Sequence, residues 1–212
     1  MNIFNSNFKK PYIIIKFLPK SSWQDVFHRM CEFTNLRTKN TIDEIWFVEH
    51  DPIYTQGLIR HNNIKCINNI PVVCTNRGGK ITYHGPGQQI VYLLLNLKRL
   101  NMHIRKLLLL IEHVVLNTLY TLKIIGSSKK SGIFVEHKKI CSIGLRIIKY
   151  YSLHGFALNV KMDLTPFQYI HPCGDSTIIM TQICQIKHNI SMNEVKNILI
   201  KNFYSFFNIK LI

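Results

Sequence analysis

The sequence has few acidic residues and no uninterrupted apolar run long enough to cross a membrane. It contains 11 Asp and Glu against 27 Lys and Arg, which gives a formal net charge of +16. The longest apolar segment, residues 107–119, contains Glu112 and His113 and is shorter than the roughly 20 residues that a membrane-spanning helix needs. The apolar stretch at residues 11–18 is interrupted by Lys16, which argues against a signal peptide. We therefore expect a cytoplasmic protein that does not associate with membranes.

The six cysteines include no Cys-x-x-Cys pair, which argues against a structural zinc site or a thioredoxin-like motif. Free thiols in a reducing compartment fit this pattern. Five cysteines have apolar neighbours and are expected to be inert core residues, namely Cys31, Cys66, Cys74, Cys141 and Cys184. Cys173 differs, because it lies between Pro172 and Gly174. We expect a turn there that exposes the thiol, and a nucleophile needs such exposure.

The excess of basic residues has two possible origins. An acidic partner, such as nucleic acid, an anionic membrane or an acidic protein, would account for it. Compositional drift would also account for it, because Ile, Asn and Lys recur throughout the chain. The basic residues are scattered and form no run of five or six, which favours drift and argues against a nucleic-acid-binding module. The two origins can coexist, since a basic surface can still recruit an acidic carrier.

The pattern of apolar residues predicts an α/β fold of the α+β type, with a mixed sheet flanked by helices, in a single domain over residues 1–212. Strands are predicted at residues 12–17, 44–49, 71–74, 80–84, 90–95, 133–136, 139–148 and 151–160. Helices are predicted from residue 21 or 22 to 36 and over residues 103–122, with Gly126 as the stop of the second. Ser191 and Glu194 predict a capping box that starts a last helix.

The densest group of chemically useful residues is the segment from Arg77 to Gln89, Arg-Gly-Gly-Lys-Ile-Thr-Tyr-His-Gly-Pro-Gly-Gln-Gln. Glycine lets a backbone approach a ligand closely. Arg77 and His84 would supply hydrogen-bond donors, and Tyr83 would supply an aromatic wall. The segment indicates a ligand-cradling loop that leads into a core strand, although a pair of ordinary hairpin turns would give the same glycines. It is not a P-loop, because the Gly-Lys-Ser/Thr ending is missing.

Two later segments place small or polar residues inside predicted strands, at Lys138–Arg146 and His154–Asn159. Lys139 starts an alternation in which Cys141 and Ile143 share its face, so it is predicted to point inward. The alternative is a lysine on the solvated flank of the strand. The second segment indicates only that something packs closely against it.

Taken together, these segments resemble the octanoyltransferases of lipoate biosynthesis. The matching blocks occur in the family's order over residues 30–185: Glu49–Gly57, Arg77–Gln89, Lys139–Gly144, His154–Asn159 and Pro172–Gly174. Several linked motifs in order are far more specific than any one of them. The resemblance implies an acyltransferase with the fold of the biotin/lipoate protein ligase catalytic domain.

The resemblance also implies a site and partners. The acyl-thioester nucleophile falls on Cys173, and a lysine that lowers the pKa of its thiol falls on Lys139. The implied substrate-binding residues are Arg77, Gly78, Gly79, Lys80, Ile81, Thr82, Tyr83, His84, Ser142, Ile143, Gly144, Gly155, Phe156 and Ala157. The implied donor is octanoyl-acyl carrier protein, which presents the acyl group on phosphopantetheine. The implied acceptors are the lipoyl domains of 2-oxoacid dehydrogenases and the glycine-cleavage H protein. A monomer that needs no ATP, metal or other cofactor is expected.

Two departures from the family pattern concern the acyl pocket. Residues 128–132 lack the usual Asp-x-Pro-Gly run, and residues 178–190 are plainer than the family pattern. An ATP-dependent lipoate or biotin ligase on the same fold is the nearest alternative, and it would need no cysteine. A transferase that moves octanoate between lipoyl domains is a closer one. His84, His154 and His171 are expected to be structural or pocket histidines rather than metal ligands.

Overall fold

The structure is a computed structural model that describes residues 11–59, 64–129, 132–171 and 174–211. The strands are β1 (Tyr12–Phe17), β2 (Asp43–Val48), β3 (Ile53–Gln56), β4 (Cys66–Ile67), β5 (Ile70–Cys74), β6 (Ile81–His84), β7 (Gln88–Leu94), β8 (Ser127–Lys129), β9 (Gly132–Val135), β10 (Lys138–Ile148), β11 (Tyr151–Asn159) and β12 (Asn208–Leu211). The helices are α1 (Trp23–Leu36), α2 (Ile104–Thr121), α3 (Ile183–Ile186) and α4 (Met192–Phe203), with a 3-10 helix at Thr165–Tyr169.

The strands form two sheets. The large sheet has eight strands in the order β12-β1-β2-β7-β11-β10-β9-β8, and the small sheet has four in the order β4-β5-β3-β6. The large sheet is mixed, because β1 is parallel to both β2 and β12 while the other neighbours are antiparallel. This confirms the predicted mixed sheet flanked by helices. The second, smaller sheet, in which β3 pairs with β6, was not predicted.

The continuous apolar run of β7 is explained by helices on both faces of the large sheet. Alternate side chains of a strand point to opposite faces. Val91 and Leu93 therefore join the core beneath α2 and α4, whereas Ile90 and Tyr92 pack with Val26 and other residues of α1. A strand that is buried on both sides gains by being apolar at every position.

The ends of the helices follow the local sequence with one exception. The Ser191 side chain accepts a hydrogen bond from the Glu194 backbone N–H, which confirms the predicted cap of α4. The predicted stop of α2 at Gly126 was wrong, because the helix already ends at Thr121 and Lys123 takes the left-handed conformation with a φ of +65°. Among the described residues, no helix is long and apolar enough to span a membrane.

Candidate active site

A cavity of about 880 Å³ lies between the segment that joins β5 to β6 and the strands β10 and β11. It brings together nearly all of the predicted site residues, which are far apart in the sequence. Those that line it are Arg77, Gly78, Gly79, Lys80, Ile81, Thr82, His84, Lys139, Ser142, Ile143, Gly144, Gly155, Phe156 and Ala157. A large, mostly apolar cavity with a few convergent polar groups is typical of a small-molecule site.

Tyr83 is the one predicted substrate-binding residue that the structure places elsewhere. It is buried in a separate cluster, where its ring packs 5.4 Å from that of Tyr54 and 5.5 Å from that of Phe167. It does not line the cavity. Tyr83 therefore stabilises the packing of the small sheet against the 3-10 helix and does not form an aromatic wall.

Lys139 is buried, with 1% of its surface exposed, and its side chain reaches the cavity because β10 contains a bulge. Lys139 pairs with Phe134 and Cys141 with Ile133, so two residues of β10 oppose one of β9 and Ile140 is the extra residue. Ile140 and Cys141 both point into the core.

The neighbours of Lys139 show which face it takes. A Cβ added to Gly132 would lie 2.4 Å from Lys139 Cε. Gly132 pairs with Ser142 across the strands, and paired residues share a face. Lys139 therefore lies on the cavity face with Ser142, and the prediction that it shares the face of Cys141 was wrong. Gly132 keeps this face open for the lysine stem.

Cys173 and Pro172 lie outside the described residues, so the structure describes only the chain on either side. The Gly174 N–H donates to the His171 carbonyl at 2.8 Å. Gly174 has a φ of +72°, and a Cβ there would lie 2.1 Å from Lys80 Nζ. The side chain of Lys80 therefore rests on the residue that follows Cys173, at one end of the cavity.

Arg77 is held over Gly144 by the small sheet. Its Nη2 donates to the Thr55 carbonyl at 2.6 Å and to Thr55 Oγ1 at 3.0 Å, and its Nη1 donates to the Gly78 carbonyl at 3.0 Å. A Cβ on Gly144 would lie 3.2 Å from Arg77 Cδ. The lack of a side chain at Gly144 therefore leaves room for the guanidinium above β10.

His84 is a buried, neutral member of the same network. Burial, reinforced by the nearby His50, lowers the pKa of His84 to about 3. Gln88 Nε2 donates to the Tyr83 carbonyl at 3.3 Å, so Gln88 presents its Oε1 to His84. His84 Nδ1 therefore carries the proton and donates it to Gln88 Oε1 at 2.8 Å, and Nε2 of the neutral ring accepts from Thr55 Oγ1 at 3.2 Å.

His154 is the second neutral histidine of the cavity. Burial, followed by the charge of Arg77, lowers the pKa of His154 to about 3. Its Nε2 lies 2.6 Å from Asn76 Oδ1, and its ring stacks on that of Phe27. Its φ of +63° is unusual for a strand residue and marks a strained position beside the site. Within the described ranges, no group of three or more His, Cys, Asp and Glu could hold a metal ion.

The model of the lipoyl protein ligase A/B catalytic domain matches residues 26–204 of the chain. The chain belongs to this lipoyl protein ligase A/B family. This family member is 50% identical to the octanoyltransferase of Buchnera aphidicola subsp. Acyrthosiphon pisum, over 96% of this chain and 98% of the relative. It is 43% identical to the octanoyltransferase of Escherichia coli, over 92% and 93% of the two chains.

Solved structures of other proteins share the fold of this family member. It superposes on lipoate-protein ligase A bound with ATP with a TM-score of 0.74 and 18% identity, over 96% of this chain and 90% of the other. It superposes on the bipartite lipoate protein ligase of Thermoplasma acidophilum with a TM-score of 0.77 and 17% identity, over 95% and 88% of the chains. At such low identity these likenesses show the fold alone, and they confirm the predicted fold class.

Sequence reasoning missed several residues of this family member's cavity. The wall also includes Trp23 of α1, Tyr92 of β7, Ile104 and Leu108 of α2, and Phe134 of β9. None of them belongs to a glycine-rich or polar motif, so nothing in the sequence separates them from core residues.

Two of the five supposedly inert cysteines were assigned wrongly. Cys66 and Cys74 are exposed, whereas Cys141 is buried and Cys31 and Cys184 are partly buried. Burial raises the pKa of the Cys141 thiol to about 12, and the charge of Lys139 only partly offsets this. Cys141 is therefore an inert thiol, as predicted, although its strand leads to the cavity.

We expect Gly87→Ala to destabilise the protein by about 3 kcal/mol, which is about 6–12 °C in melting temperature for a chain of this size. Gly87 has a φ of +82°, and its Cβ would lie 1.8 Å from the Lys161 carbonyl oxygen. The Lys161 N–H donates to the Gly87 carbonyl at 2.9 Å, so the backbones cannot separate freely. Thermal unfolding measures the effect, with Gly78→Ala as control, since its Cβ would meet nothing closer than 3.4 Å. Equal melting temperatures for the two variants would contradict this account.

We also expect the protein to lose stability as the pH falls below about 6.5, the ordinary pKa of histidine. In the unfolded chain His84 and His154 bind protons from there downward, but in the folded protein the pKa of each is about 3. Stability is therefore fully present above pH 6.5 and is lost progressively toward pH 3, at about 1.4 kcal/mol per pH unit for each histidine once below its unfolded pKa. Urea denaturation at pH 7, 6 and 5 tests this. His154→Gln should reduce the slope and exposed His28→Gln should not; a stability that is constant from pH 7 to 5 contradicts it.

Proposed function

We propose that this chain transfers an octanoyl group from acyl carrier protein to the lysine of lipoyl domains through a thioester on Cys173. Its identity of 43–50% to octanoyltransferases over most of their length makes it an octanoyltransferase, an acyltransferase of lipoate biosynthesis. The observation that carries the mechanism is the placement of Lys139. Its side chain is buried in the cavity wall, and its backbone is bonded to Ile179 and Thr181 in the segment that follows Cys173.

The first half of the proposed reaction moves the acyl group to the enzyme. The Cys173 thiolate attacks the carbonyl carbon of the octanoyl thioester, a new C–S bond forms, and the bond to the phosphopantetheine sulfur breaks. Lys139 or water gives the leaving thiolate its proton. A nearby ammonium favours the thiolate form of a cysteine, which is the nucleophilic form.

The second half passes the acyl group to the acceptor. The ε-amine of the target lysine attacks the acyl-enzyme, a C–N bond forms, and Cys173 leaves as a thiolate while Lys139 helps to remove the proton of the amine. Exchange between thioesters is nearly balanced, and formation of the amide is downhill. The proposed reaction therefore needs no ATP, metal or other cofactor.

The cavity suits an acyl chain of this length. An octanoyl tail has about six methylenes, and burying them contributes on the order of 5 kcal/mol at about 0.8 kcal/mol each. Apolar side chains of α1, β6, β7 and β11 are available to contact it, among them Trp23, Ile81, Ile90 and Ala157. One methylene more or less changes such binding only modestly, so cavity depth sets a preference rather than an absolute limit.

The proposed partners and setting follow from the same chemistry. The donor is octanoyl-acyl carrier protein, and the acceptors are lipoyl domains, including those of 2-oxoacid dehydrogenases and the glycine-cleavage H protein. A monomer in the cytoplasm is the proposed state, where a reducing environment keeps the Cys173 thiol free.

The fold leaves an ATP-dependent ligase as the second candidate, because one of the structural neighbours is a lipoate-protein ligase bound with ATP. That neighbour is 18% identical, whereas the octanoyltransferases are 43–50% identical over nearly the full chain. The sequence likeness therefore favours transfer.

Mass spectrometry of the intact chain after incubation with octanoyl-acyl carrier protein tests the proposal. We expect a gain of one octanoyl group that hydroxylamine removes and that passes to a lipoyl domain when one is added. Free octanoate with ATP should label neither protein. Labelling of the lipoyl domain by free octanoate, dependent on ATP, would establish the ligase instead.

A further inference from the structure

Asn159, at the end of β11, is buried, and both the oxygen and the nitrogen of its side-chain amide form hydrogen bonds. Its Oδ1 accepts from Gln88 Nε2 at 2.9 Å, and its Nδ2 donates to the Thr181 carbonyl at 2.9 Å. Gln88 Oε1 already accepts from His84, so Gln88 must present its NH₂ group to Asn159. This fixes which end of the Asn159 amide faces Thr181. Only a neutral amide satisfies both partners, because an aspartate has no donor for the Thr181 carbonyl.

The Thr181 peptide is also bonded to the strand that carries Lys139. The Thr181 N–H donates to the Lys139 carbonyl at 2.9 Å, and the Lys139 N–H donates to the Ile179 carbonyl at 2.8 Å. Lys139 and Met180 thus form an isolated parallel bridge. The segment 179–181 is therefore attached to β10 through its backbone and to β11 through the Asn159 side chain.

We propose that Asn159 is a positioning residue, which fixes the segment 179–181, and with it the chain that leads back to Cys173, relative to Lys139. The inference rests on the proposed function, since it takes Cys173 and Lys139 as the reacting pair. Asn159 does not line the cavity, so it acts through the placement of these residues and not by contact with substrate.

Asn159 controls how firmly the segment 179–181 is held beside Lys139. An isolated bridge of two backbone hydrogen bonds, with no further ladder on either side, is a weak attachment for a chain segment. The Asn159 amide adds a third hydrogen bond, which is buried. Losing a buried hydrogen bond costs free energy, because water does not readily replace it. A displacement of about 1 Å between reacting groups can lower a rate by about 100-fold.

The test compares Asn159→Asp with the wild-type chain in single-turnover acylation by octanoyl-acyl carrier protein. We expect the acylation rate to fall about 10- to 100-fold, with the KM for the carrier unchanged within about twofold. The pH–rate profile should move to higher pH, because Lys139 favours the thiolate less when it is displaced. Hydrogen exchange at the amides of Lys139 and Thr181 should become faster.

Asn197→Asp is the matched control, since it makes the same chemical change at an exposed position of α4 and should leave all of these quantities unchanged. If Asn159→Asp does not fold, Asn159→Ser is used, which is neutral and smaller and should show the same pattern more weakly. A folded variant with the wild-type acylation rate and pH profile overturns the proposal. So does a loss of rate that only follows the folded fraction at an unchanged pH profile. Failure of the proposed function is distinguishable, because the wild-type chain itself would then gain no octanoyl group.

Discussion

Cys173→Ala should carry no octanoyl thioester and should lose octanoyl transfer by about 10³-fold or more. The alanine removes the only atom of this residue that can hold the acyl group, and direct attack of the acceptor amine on the carrier thioester would lack the enzyme-bound intermediate. Intact-mass spectrometry measures the thioester, and transfer of labelled octanoate to a lipoyl domain measures the rate.

The matched control is Cys74→Ser, because Cys74 is an exposed thiol three residues before Arg77. It is the cysteine most open to adventitious acylation near the glycine-rich segment that begins at Arg77. It should keep both the thioester and the rate. Cys173→Ser adds a sharper test, since any acyl group on serine would be an ester. A hydroxylamine-labile adduct on Cys173→Ser at the wild-type rate would rule out Cys173 as the nucleophile.

Lys139→Met should slow acylation by about 10²- to 10⁴-fold, the range that a positioned proton-transfer group supplies. Methionine has nearly the length of the lysine stem and fills the space beside Gly132 and Phe134 without a charge. The variant lacks both the cation that favours the thiolate and the group that moves protons. The rate of single-turnover acylation should also begin to rise at a higher pH than in the wild type. Without the cation, the Cys173 thiol stays protonated up to a higher pH.

Lys138→Met provides the control for charge and sequence position, because Lys138 is exposed and next to Lys139 in β10. Its rate and pH profile should match those of the wild type. An unchanged pH profile in Lys139→Met would remove Lys139 from the mechanism. A change of equal size in both variants would point to the net charge of the protein and not to the buried ammonium.

The longer strands of the large sheet could be predicted because each is long enough to show a period. β7 contains a continuous apolar run from residue 90, and α4 is capped by Ser191, whose side chain accepts from the Glu194 N–H. The strands of the small sheet were predicted only in part. Two of them, β5 and β6, match the strands predicted at residues 71–74 and 80–84. The other two were missed, because β4 has two residues and all four residues of β3 are buried, so neither shows alternation. β12 has four residues and forms only by pairing with β1, which lies at the other end of the chain.

The sequence predicted which segments line the cavity better than it predicted how their side chains are oriented. Motifs in order identified the cavity segments, but the face of Lys139 depends on one extra residue in β10, and strict alternation assumes that no residue is inserted. Tyr83 belongs to the matching motif and yet faces the small sheet's own core, because a motif does not say which of its members faces the ligand. Cys66 shows the same limit, since apolar neighbours do not bury a residue in a strand at the edge of a sheet.

The alternation along β7 separates the residues that shape the cavity from those that pack beneath α2 and α4. Ile90 and Tyr92 line the cavity proposed to hold the acyl tail, whereas their neighbours Val91 and Leu93 face the core beneath α2 and α4. A larger side chain at position 90 would reduce the space for the acyl tail and would leave the core beneath α2 and α4 intact. Acyl-chain preference can therefore be redesigned at position 90 with repacking on the side of α1 and without rebuilding the core beneath α2 and α4.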